Sequence, residues 1–262
     1  MKMAPRAWVS ALVLIAAGLA VVPKAVFAQT DEIQVYNAEI EQRGKASITL
    51  HNNFTPIGRK TAVFPGGIIP NHSENGGVEW AYGVRDWFEQ GLYLPVFSAY
   101  SQGRDGTING LKIRELFVLP HAQDRKFFYG INFEFSFNYP YWESRTFTAE
   151  VRPIVGFRVH AVDFVFNPIV DTDYTGGPGG LEFVPAARVD YNLNKKWAVA
   201  LEEYDDDGPL RGFNALHQQF HEIWAVTDFM GKSVAIETGV GVGVTSGADK
   251  LTLKLMFSRD VN

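Results

Sequence analysis

From Lys45 onward the chain runs in segments of about ten residues whose apolar and polar positions alternate, the period of a strand whose two faces meet different surroundings. In FFYGINFEFSFN (127–138), Phe127, Tyr129, Ile131, Phe133, Phe135 and Phe137 share one face, and Gly130, Asn132, Glu134, Ser136 and Asn138 share the other. In LEFVPAARVDYN (181–192), Leu181, Phe183, Pro185, Ala187, Val189 and Tyr191 oppose Glu182, Arg188, Asp190 and Asn192. LTLKLMF (251–257) sets Leu251, Leu253, Leu255 and Phe257 against Thr252, Lys254 and Met256. Each segment predicts a strand with one oily face and one charged or polar face.

A soluble sandwich alternates as well, so the connections must separate the architectures. Short links fall at 85–90, 121–126, 157–161, 192–196 and 227–232, and between them lie longer links rich in Gly, Pro and Asp at 55–77, 101–110, 138–144, 171–180, 205–216 and, more briefly, 245–249. Short and long links take turns, as they do when all tight turns lie on one side of a membrane and all loops on the other. The expected fold is all-β, an antiparallel up-and-down transmembrane β-barrel of about twelve strands over residues 45–262, with both ends of the barrel on the short-turn side. IQVYNAEI (33–40) would make an odd strand, so 29–44 is read as a periplasmic lead-in or plug.

Lys2 and Arg6 precede an apolar run from Ala7 to Val22 that breaks at Pro23, and Val26, Phe27 and Ala28 follow. This pattern predicts a secretory signal peptide over 1–28, because the run is shorter than the ~20 residues of a spanning helix. Cysteine is absent, which removes disulfides and thiolate metal sites from consideration. Three of the 24 basic residues and none of the 29 acidic ones precede Ala28, so the remainder carries 21 against 29, a net of −8. Such a balance argues against nucleic acid as a partner.

The final amphipathic strand, with Leu251, Leu253, Leu255 and Phe257 outward, is similar to the sorting signal of Gram-negative outer-membrane β-barrel proteins, although Ser258 to Asn262 follow the aromatic here. YGVRDWFEQGLYLP (82–95) also resembles hairpins of poorly characterised outer-membrane transporter families, including the group linked to phenol-degradation pathways. The resemblance implies a bacterial outer-membrane location, membrane lipids around the barrel and insertion by the barrel-assembly machinery.

Strand phase places Glu79, Glu134, Glu150, Asp163, Glu182, Asp190, Glu202 and Glu237 in the lumen against Arg152, Arg188 and Lys254, with Glu150 paired to a neighbouring Arg. Trp80, Trp87, Trp142, Trp197 and Trp224 fall mostly near strand ends and are expected in interfacial girdles.

Signals of other chemistry are weak. His217 and His221 lie four apart, which on a strand is ~13 Å and too far for one zinc ion. NHSENGG (71–77) faintly resembles the His-Ser-Asn grouping of outer-membrane phospholipases, but adjacent residues in a loose loop do not hold a nucleophile to its base. DTDYTGGPGG (171–180) and YDDDGPL (204–210) carry oxygen ligands without calcium-loop spacing and read as solvated turns. GVGVG (239–243) lacks a phosphate-loop Lys and reads as strand packing. No catalytic residue, metal or cofactor is expected, and the chain is not expected to be an enzyme.

The leading expectation is a narrow channel or passive transporter for small solutes. The alternative is a non-conducting structural or adhesive barrel closed by side chains or by the loop carrying GGIIP, and a phospholipase-like enzyme stands third. Twelve strands lie between the eight of a filled lumen and the 16 to 18 of an open one, so strand number does not choose.

Overall fold

The computed structural model describes residues 32–261; the leader expected at 1–28 lies outside the described residues. In chain order the strands are β1 (Ala46–Ile57), β2 (Ser73–Arg85), β3 (Phe88–Tyr100), β4 (Thr107–Val118), β5 (Phe127–Asn138), β6 (Phe147–Val159), β7 (Val162–Asn167), β8 (Val170–Thr172), β9 (Glu182–Phe183), β10 (Ala186–Asn194), β11 (Trp197–Asp206), β12 (Gly208–Pro209), β13 (Phe220–Met230), β14 (Ala235–Gly243) and β15 (Leu251–Asp260). Twelve of them form a closed antiparallel barrel, each paired to its chain neighbours, with β15 returning to β1 through Leu50 opposite Phe257 and Asn53 opposite Lys254. Closure leaves no unpaired edge along the wall. The short strands β8, β9 and β12 belong to two long loops and fold together at the mouth, β8 on the upper end of β6. "Upper" here denotes the long-loop end.

The exterior is apolar. Leu50, Leu92, Ile113, Phe135, Phe164, Leu201, Leu253 and Phe257 are all exposed, far more oily surface than a water-facing molecule carries. Aromatics gather at both rims. Phe88 stacks on Phe117 at 4.8 Å and Trp197 meets Phe229 at 4.8 Å on the short-turn side, while Phe137, Phe147, Tyr139 and Tyr141 cluster on the other. From Phe127 to Phe137 the strand rises ~34 Å, which at a tilt of ~40° gives ~25 Å along the membrane normal, the height of a barrel's apolar band. Of the five tryptophans expected in girdles, Trp80, Trp87 and Trp197 are exposed, but Trp224 and Trp142 are buried inside. Trp224 has an even position on β13, the inward phase, and Gly241 opposite leaves room for it: a Cβ there would lie 2.1 Å from the indole. GVGVG is therefore packing space for a lumenal tryptophan.

Several boundaries differ from the sequence reading. β2 begins at Ser73 rather than beyond Gly77, because Gly76 and Gly77 pair with Asn52 and His51 in the wall, where a Cβ on Gly76 would strike the His51 carbonyl at 2.0 Å. The segment 181–192 is also broken: Val184 and Pro185 separate β9 from β10, so Glu182 sits on a mouth hairpin and not on a wall strand.

Candidate functional site

Residues 32–43 run inside the barrel. Arg43 forms a bridge with Gly83 at the lower rim, and the backbone N–H of Glu41 donates to Glu89 Oε2 at 2.5 Å. Higher up, Tyr36 exchanges backbone hydrogen bonds with the Asn167 side chain at 2.8 and 3.0 Å, Arg152 donates to the Gln34 carbonyl at 2.9 Å, and Lys254 donates to the Ile33 carbonyl at 3.1 Å. The segment forms no strand over this stretch, so wall side chains take up backbone groups that would otherwise be buried unpaired. Tyr36 is its anchor. Its ring lies between the guanidinium groups of Arg152 and Arg114, at 4.4 and 5.5 Å, and its hydroxyl contacts Tyr93 Oη at 3.1 Å and Glu134 at 3.3 Å.

The segment's own Val35, Tyr36 and Ala38 fill the lower lumen, packed on Leu116, Val118, Phe128, Ile154 and Val165. Phe128 fits because Gly156 faces it, where a Cβ would approach the ring to 2.0 Å. On one side of the mouth Ile68, from the GGIIP loop, packs on Tyr93, Val96 and Trp142.

Charges occupy the middle layer. Arg188 contacts Asp190 at 2.6 Å, Glu202 at 2.5 Å, Glu237 at 3.0 Å and Asp228; Lys254 contacts Glu202 at 2.6 Å and Glu237 at 2.5 Å. Arg114 bridges Glu79 at 2.5 Å and Glu89 at 2.6 Å, and His51 meets Glu79 at 3.1 Å. Arg152 holds Glu150 at 2.6 Å and Arg158 holds Asp163 at 3.1 Å. Of the residues put in the lumen from strand phase, Glu79, Glu134, Arg152, Arg188, Asp190, Glu202 and Lys254 are buried, Glu150, Asp163 and Glu237 are half-buried, and Glu182 lines the cavity from the mouth. Sequence reasoning did not name Arg114, Glu89, Lys112, Asp171, Asp206, Glu222 or Asp228, although β4 and β13 carry the same period-two phase.

Above Tyr36 lies a cavity of about 560 Å³, walled by the upper halves of β5 and β6, the loop from 168 to 185 and the top of β11. Its lining is acidic: Glu32, Glu134, Glu150, Asp171, Glu182, Asp206 and Glu222 against Lys112 and Arg152, with Trp142, Ile169, Val184 and Tyr204 as apolar wall. Burial pushes the carboxyl of Glu182 up to about 8, and neighbouring Asp206, Asp173 and Glu143 push the same way. Glu143, in the loop after β5, is likewise raised by burial. The acidic runs 171–180 and 204–210 thus come together here. Asp173, by contrast, accepts from the Thr175 backbone and hydroxyl as an ordinary turn carboxylate.

The remaining candidates do not assemble a reaction centre. His72 is exposed with its ring on Asn71, while Ser73 is buried and donates to the Pro70 carbonyl, so the two side chains are not hydrogen-bonded to each other. His217 lies in an exposed turn, not on the strand expected for it, and His221 pairs with Asp205 at 2.5 Å. Glu203, Asp205 and His221, at the upper ends of β11 and β13, bring ligand atoms within 4.8 Å of one another, without His217.

The chain is similar in structure to an outer membrane channel from Pseudomonas putida F1, with a TM-score of 0.56 at 11% identity over 88% of this chain and 100% of that one. It is also similar to the NanC porin, with a TM-score of 0.51 at 11% identity over 82% of this chain and 100% of the porin. The fold is that of outer-membrane channels and porins. No protein-family model and no curated protein sequence matches the chain.

Proposed function

We propose that the chain is a channel of the Gram-negative outer membrane for small solutes, cations favoured, and that residues 32–43 close it in the observed conformation. The observation that carries this reading is the course of that segment through a charged lumen, held by hydrogen bonds and cation–π contacts to wall side chains rather than by a strand of its own. A wall built to enclose a permanent apolar core would not need this density of inward carboxylates, since uncompensated buried charge destabilises a fold. The oily exterior and paired aromatic belts support membrane residence, with outer-membrane lipids as the surrounding solvent and the barrel-assembly machinery, acting on β15, as the route of insertion. The fold shared with channels and the hairpin likeness at 82–95 support transport as the role.

One observation favours a second reading, a non-conducting structural barrel: the apolar cluster around Phe128 and Ile154 fills the lower lumen. Recording in a planar bilayer separates the two. A channel closed by residues 32–43 shows brief or low conductance that rises when Tyr36 is replaced by Ala; a structural barrel shows none in either form.

A further inference from the structure

The acidic lining of the cavity has an order that its composition does not reveal. Glu134 on β5 stands opposite Glu150 on β6, Glu150 opposite Asp171 on β8, and Asp171 opposite Glu182 on β9. Four carboxylates therefore lie side by side across four neighbouring strands, all lining the same cavity. Adjacent strands are ~4.8 Å apart, so the row is ~14 Å long with a carboxylate at each step. Like charges directly opposite one another are destabilising, and four in register are a standing conflict with the sheet.

The chain compensates only half of the row. Glu134 has Lys112 at 3.7 Å, and Glu150 has Arg152. Among the described residues no basic side chain lies at ion-pair distance from Asp171 or Glu182. Moreover, Asp171 Oδ1, and both carboxylate oxygens of Glu32 beside the row, are buried without a hydrogen-bond partner. A buried acceptor left unpaired is unfavourable unless something outside the chain supplies the donor.

We infer that this row is a binding site for a linear organic polycation, a molecule with two or more ammonium groups along a methylene chain. Three features select that class. A propyl or butyl spacer sets successive ammonium groups about 5 to 6 Å apart, close to the step between strands. The wall beside the row carries Trp142, Ile169, Val184 and Tyr204, which suit methylenes and not a hydrated metal ion. Divalent metals need converging ligand atoms, and among the described residues a group of three occurs at Glu203, Asp205 and His221 and not along this row. The site deepens the channel reading by naming a solute class, and it rests on that reading for transport; binding itself needs no conduction.

Equilibrium binding of spermidine to the detergent-folded barrel, followed by calorimetry at a pH above 8 where Glu182 is ionised, tests the site. Wild type should bind spermidine, Asp171→Asn and Glu182→Gln should each weaken it about tenfold or more through loss of a charged hydrogen bond, and Glu203→Gln should leave it unchanged. Both cavity variants should be at least as heat-stable as wild type, because each relieves repulsion in the row. Absent spermidine binding, binding indifferent to both cavity variants, unfolding of those variants, or Mg²⁺ bound more tightly with the same dependence on Asp171 would each overturn the inference. Conductance is recorded separately: binding without conductance leaves the site and removes the channel, and conductance without binding does the reverse.

Discussion

Phe133 and Ser136 stand three positions apart on β5 and face opposite surroundings: Phe133 packs edge-on to Phe117 on the exterior, while Ser136 lines the cavity. A cation on the lipid face near the bilayer midplane destabilises a barrel by ~2 to 4 kcal/mol. Phe133→Arg should therefore lower the unfolding free energy in lipid vesicles by about that amount, whereas Ser136→Arg, beside Glu134 and Glu150, should change it little. Equal losses would contradict the facing of β5. Residue size is equally directional inside. Gly156 and Gly241 exist where Phe128 and Trp224 need space, so Gly241→Leu should destabilise the fold and raise the exposure of Trp224, measured by a red shift of its fluorescence.

At the scale of elements, the strands and their facing were legible because a wall one strand thick imposes period two on every segment, as in β5 and β15. The order of short and long links was legible for the same reason, since each link sees only one side. What could not be read locally was pairing between distant segments. The acidic runs 171–180 and 204–210 look like solvated turns one at a time, and only β8, β9 and β12 bring Asp171, Glu182 and Asp206 together. Gly76 and Gly77 look like a loop because glycine usually marks one, yet here Gly76 lets β1 and β2 approach and Gly77 leaves room beside Tyr93. The inward Trp224 did carry a signal: glycine at 239, 241 and 243 on the same phase of β14 leaves a trough on the lumenal side. For the segment 32–43, alternation alone could not tell a strand from a peptide threaded through the barrel. Its hold on the wall passes through Tyr36, and Tyr36→Ala should raise single-channel conductance several-fold and also lower thermal stability, since the ring packs in the lower-lumen cluster, while the strand pairing of the wall is untouched.

For the whole molecule, the acidic upper cavity sets the sign of the field at the mouth, and a narrow low-dielectric lumen focuses it. Glu182 titrates near pH 8, surrounded by Asp171, Asp173, Asp206 and Glu143, with Arg152 engaged by Glu150. As pH falls through 8 it gains a proton and the mouth loses negative charge, so cation preference should be stronger at pH 9 than at pH 7. Linkage runs the other way for the fold. A carboxyl raised above its ordinary value favours the folded state at low pH, and that contribution fades as pH rises toward 8. Screening shortens the reach of the field to ~3 Å at 1 M salt, so selectivity should fade as salt is raised. The most direct measurement of the account is the reversal potential of the Tyr36→Ala barrel in a planar bilayer under a KCl gradient at low salt. The account predicts conductance well above wild type with a reversal potential on the K⁺ side; silence from both forms, or a potential on the Cl⁻ side, would contradict it.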